Sequence, residues 1–97
     1  MNKRANQYHL TLQLDEYANG EKEPAKKLEL QFSNHDELFD IIDKVQAKNI
    51  FSSKEESTEF ALGLKLFSEV MLKNKNHPLF EELNTVFPMF MKKLKAL

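Results

Sequence analysis

The sequence predicts an α+β fold: an N-terminal antiparallel β-hairpin followed by three α-helices, the last kinked at a proline. Three observations carry this. Two early segments alternate apolar and polar residues, Asn19-Gly20 lies between them, and from residue 34 on the apolar positions take a helical spacing in three runs.

In YHLTLQL, Tyr8, Leu10, Leu12 and Leu14 fall on one face and His9, Thr11 and Gln13 on the other, the period of a half-buried strand. KLELQF repeats it, with Leu28, Leu30 and Phe32 against Lys27, Glu29 and Gln31. A two-residue Asn-Gly turn with unbroken pairing would set Leu12 opposite Lys27 and Leu10 opposite Glu29, which scatters the apolar set over both faces. Opposed residues share a face, so Leu12 must meet Leu30 or Leu28. The hairpin is therefore expected to contain a bulge or an odd-length loop, with Pro24 near the disturbance.

Asn34 is placed to cap the first helix, with Glu37 reaching back from the first turn. Leu38, Phe39, Ile41, Ile42 and Val45 then make one apolar arc, and the helix should end near Lys48-Asn49. Ser52 or Ser53 opens the second helix, which runs to about Asn74. Its apolar residues cover roughly 240° of a helical wheel, interrupted by the charged line Lys65, Glu69 and Lys73. Gly63 lies on the apolar side, where it is expected to admit another backbone closely. Pro78 suits the first turn of the third helix, in which Leu79, Leu83, Val86, Phe87, Phe90 and Leu94 share an arc across Pro88. Lys92, Lys93 and Lys95 sit where the negative helix end favours cations.

The composition, 41% hydrophobic and 30% charged over 97 residues, is that of a globular domain. A single compact domain over 1–97 is expected, with 1–7 flexible, 8–32 forming the hairpin and 34–97 the helical part. Fourteen basic residues against fifteen acidic leave a formal net charge of -1, which supplies no field to hold nucleic acid or an anionic membrane. The absence of cysteine excludes a disulfide framework, a thiolate nucleophile and a thiolate metal site. With no secretory leader and no run long enough to span a membrane, a cytoplasmic protein is expected.

The runs NHDELFDIIDKV and LGLKLFSEVMLKNKNHPLFEEL, preceded by YHLTLQLDE, resemble the small bacterial family catalogued as domain of unknown function 3861. The resemblance extends from Tyr8 to the last helix. It implies a compact bacterial domain and carries over no catalytic residue.

The chemistry-bearing residues are sparse. His9 faces the polar side of the first strand, His35 and His77 each sit at a helix start where a cap or solvent role suits them, and none has metal-ligand spacing. Asp36, Asp40 and Asp43 form an acidic ridge on a helix face. Lys73, Lys75, Lys92, Lys93 and Lys95 lack the interleaved aromatics of a nucleic-acid surface. Neither a catalytic set, a metal site nor a cofactor motif emerges. Lys65 and Glu69, four apart among apolar residues, are the candidate polar site, and Leu62, Leu66 and Leu72 the candidate interface. The expected function is a non-enzymatic module that pairs with itself or with another protein. The alternative is a small-ligand or metabolite-modifying domain, acting through Glu69 and Lys65 in a pocket between hairpin and helices.

Overall fold

Strand β1, Asn6–Gln13, pairs antiparallel with β2, Lys27–Asn34, in a two-stranded sheet of the computed structural model, which describes residues 4–23 and 25–97. Tyr8 faces Phe32, Leu10 faces Leu30 and Leu12 faces Leu28. This is one of the two registers that the face pattern allows, because it keeps all six apolar side chains on one side of the sheet. The Tyr8 and Phe32 rings stack with centroids 5.3 Å apart.

The ladder runs without a bulge, and the odd-length loop of residues 14–26 reconciles it with Asn19-Gly20. Leu14 N–H donates to Lys26 C=O at 3.0 Å, one step beyond the strands. Asn19-Gly20 turns the chain inside the loop rather than at a two-residue hairpin. Gly20 has φ +93°, its N–H donates to Tyr17 C=O at 2.9 Å, and Glu21 N–H donates to the Asn19 side-chain oxygen at 3.0 Å. Pro24, expected near the irregularity, lies outside the described residues.

Helix α1 is Leu38–Ala47, and its N-cap is Glu37, not Asn34. Glu37 accepts from Asp40 N–H at 3.0 Å and Phe39 N–H at 3.4 Å. Asn34 is buried, and its side-chain oxygen accepts from Asp36 N–H at 2.9 Å. That local turn holds the chain out of helical geometry at the residues expected to begin the helix. Asp36 C=O in turn accepts from Tyr8 Oη at 2.9 Å and Asn6 Nδ2 at 3.2 Å. At the other end Asn49 takes φ +53°, the left-handed conformation that stops a helix and that asparagine tolerates.

Helix α2, Lys54–Lys73, is capped by Ser53, whose hydroxyl accepts from Glu56 N–H at 3.1 Å. Its buried positions are Ser57, Ala61, Ser68 and Met71. Three of the four are small, and they lie within about 40° of one another around the helix. Close approach at α2 therefore belongs to this seam and not to Gly63, which is exposed and has nothing beyond its own stretch of helix within 4 Å of where a Cβ would stand. α1 packs on α2, and Gln46 Nε2 donates to Thr58 Oγ1 at 2.9 Å.

A single 3₁₀ turn, Pro78–Phe80, leads into α3, Glu81–Lys95. His77 caps that turn, Nδ1 accepting from Leu79 N–H at 3.0 Å. α3 continues through Pro88. The proline therefore does not end the helix, although it leaves Asn84 C=O without its usual helical donor. The chain divides into two compact units, one through Asp36 and one from Glu37 onward.

Candidate functional site

In the first unit, the polar face of the hairpin gathers His9, Thr11 and Glu29. Thr11 stands directly opposite Glu29 in the register, and His9 is its diagonal neighbour. Glu29 Oε1 accepts from Thr11 Oγ1 at 2.8 Å and is paired with His9 Nε2. The His9 contact first, and Thr11 second, hold the Glu29 carboxyl below the ordinary value of 4.5, while desolvation opposes the shift. A nucleophilic triad needs the imidazole between hydroxyl and carboxylate. Here the carboxylate is in the middle and His9 is paired with it, so the cluster orders the sheet face and does not activate Thr11.

This group was within reach of the sequence. Once Leu12 is opposed to Leu28, Thr11 must oppose Glu29. The alternative register, with Leu12 opposite Leu30, would set Thr11 opposite Gln31 instead.

The loop of the same unit folds Tyr17 back. Its hydroxyl donates to Glu23, and Lys26 Nζ lies 5.7 Å from the ring centroid. The hydrogen bond to Glu23, followed by desolvation, raises the Tyr17 phenol above 10.0. A cavity of about 480 Å³ opens beside it, with Leu12, Leu14, Leu28, Tyr17, Lys26 and Lys27 in its lining. Lys26 Nζ donates to the Tyr17 hydroxyl at 3.5 Å at its edge, and Leu12, Leu14 and Leu28 give it walls that suit apolar contact.

In the helical unit, Lys65 and Glu69 follow one another by a turn on α2, both half-buried. Neither is among the walls of the cavities beside Phe60 and Met71. Leu62 and Leu66 are half-buried and Leu72 is 60% exposed. The unit holds an apolar cavity of about 360 Å³ with Ile50, Phe51, Phe60 and Phe90 among its walls. A second, of about 320 Å³, lies beside Met71, Phe87 and Pro88. Phe51 and Phe90 both contact Phe60, with ring centroids at 5.1 and 6.4 Å.

The other candidates are dispersed. Asp40 pairs with Lys44 at 3.6 Å, and Asp43 is exposed. Among the described residues no group of three His, Asp or Glu side chains comes together to hold a metal, and no helix is long and apolar enough to cross a membrane. Lys73, Lys75, Lys92, Lys93 and Lys95 are all exposed.

The most distinctive surface is apolar. α3 contributes no buried residue, and Val86 (49%), Met89 (67%) and Phe90 (44%) are exposed along it, as is Leu79 (69%) in the turn before it. Leu79, Val86 and Phe90 belong to the apolar arc that hydropathy predicts, and Met89 lies outside it; a sequence pattern cannot say how wide a neighbour will cover such an arc.

No curated protein matches the chain. The crystal structure of a protein of unknown function from Pectobacterium atrosepticum SCRI1043 is similar to it. The sequences are 36% identical, the TM-score is 0.81, and the match covers 97% of this chain and all of that one. Residues 6–96 match the family described as a domain of unknown function with a solved structure, DUF3861. On a match of that extent, the chain belongs to the DUF3861 family.

Proposed function

We propose that the protein is a non-enzymatic self-association module that pairs with a second copy through the exposed apolar flank of its helical unit. The observation that supports this reading is the contrast within that unit: α3 buries none of its residues, yet Leu79, Val86 and Met89 stand exposed, as does Leu72 of α2. Contiguous apolar surface on a small domain is characteristically an interaction surface. Symmetric pairs are the commonest assembly of identical chains. A cytoplasmic location accompanies the reading, and a cysteine-free chain is compatible with it.

Light scattering from the purified protein across a wide concentration range tests it. A mass that rises to twice the chain mass with concentration is expected. A monomer that persists to millimolar concentration rejects self-association.

A further inference from the structure

The two faces of α3 differ in a way that prescribes how a second copy would lie. At about 100° per residue, the half-buried residues Leu83, Phe87, Met91 and Leu94 fall within an arc of about 80°. Glu82, Val86, Met89 and Lys93 fall within another arc of about 60°, centred roughly 130° away, and all four are exposed. Packing within the unit therefore covers the first arc and leaves the second.

The second arc has the three-four spacing of a coiled-coil seam, with Glu82 and Met89 in one class of position and Val86 and Lys93 in the other. In antiparallel pairing the two classes meet. Val86 then opposes Met89 of the second copy, and the same alignment sets Glu82 opposite Lys93 of the second copy. Symmetry repeats both contacts. The seam thus has an apolar centre of four side chains and an opposite-charge pair at each end. Parallel pairing would instead bring Glu82 onto Glu82 and Lys93 onto Lys93.

We infer that α3 pairs with α3 of a second copy, antiparallel about a two-fold axis, in the alignment that matches Glu82 with Lys93 and Val86 with Met89. This deepens the self-association reading and rests on it. Charge complementarity selects both the occupant and its direction. Phe90 borders the seam, and Pro88 lies off it, so the missing helical hydrogen bond does not fall in the contact. A helix of 15 residues is about 22 Å long, which puts the contact at the small end of specific interfaces. The pair should accordingly dissociate on dilution.

The test is a charge exchange read by light scattering on the full chain. Glu82→Lys and Lys93→Glu each place like charges at both ends of the seam, and each should lower the association constant about tenfold. The double variant restores the match and should associate like the original protein. Circular dichroism checks that all three remain folded, as expected for exposed positions.

A second measurement uses the absence of native cysteine. Val86→Cys mixed with Met89→Cys should form the mixed disulfide in preference to either symmetric one. A dimer that ignores all three charge variants, or symmetric disulfides at least as abundant as the mixed one, overturns the alignment while leaving self-association standing. A monomer at every concentration removes both.

Discussion

Gly63 offers the sharpest check on how α2 is packed. Sequence patterning places this glycine on the apolar side of the helix, where it is expected to admit another backbone closely. The structure exposes it, in the middle of a 20-residue helix, with no heavy atom other than its chain neighbours and the helix's own nearby backbone within 4 Å of the position a Cβ would take. Gly63→Ala should then recover the helix-propensity difference of about 0.8–1 kcal/mol with no packing cost to offset it. For a domain of this size that corresponds to a rise in Tm of about 4–8 °C. In urea the midpoint should move up by about 0.3–1 M with the slope unchanged. Ala61→Leu, two residues earlier and fully buried, should move the other way by about 1–3 kcal/mol, because the small-residue seam has no room for three more carbons. A loss of stability in Gly63→Ala at unchanged slope would refute the reasoning, since it would require something to close on Gly63 in solution.

Ser53→Ala removes the hydroxyl that caps α2 and should cost about 1 kcal/mol by chemical unfolding. Asn34→Ala strips the Asp36 N–H of a partner at a buried position and should cost about 1–3 kcal/mol in the same assay. Carbon-detected NMR titration of Glu29 should give a pKa below 4.5. Replacing His9 by Gln should raise it more than replacing Thr11 by Val, in the order of their contributions. Because that pKa is lowered on folding, the associated stability is present above the unfolded value. It is lost as pH falls through the folded one, so the His9 variant should flatten the pH dependence of stability below 4.5.

The hairpin was legible down to its parity. Six apolar residues must share one face, and that requirement alone left two registers, of which Leu12 opposite Leu28 is one. The cap of α2 was legible as one of two serines, Ser52 or Ser53, because it acts through a local hydrogen bond, and Ser53 makes it.

The start of α1 was not legible. Asn34 has the right side chain for a cap, but whether it caps a helix or folds a local turn depends on burial, which sequence does not carry. The buried face of α2 was misread because Ser57, Ala61 and Ser68 give no hydropathy signal, whereas Gly63 is conspicuous. On α3 the pattern identified the apolar residues but could not apportion them between a covered arc and an open one. The expected interface at Leu62, Leu66 and Leu72 lies on α2, and α3 adds exposed apolar residues of its own at Val86, Met89 and Phe90.

The division at Asp36 has a practical consequence for how the protein is observed. There is no tryptophan, and both tyrosines, Tyr8 and Tyr17, belong to the unit that ends at Asp36, while every helix lies beyond it. Intrinsic fluorescence excited through tyrosine therefore watches the first unit, and ellipticity at helical wavelengths is dominated by the other. The chain carries a built-in pair of reporters, one for each unit. Melting curves recorded by the two methods on one unlabelled sample coincide if the units unfold as one cooperative body, and separate if each has its own transition.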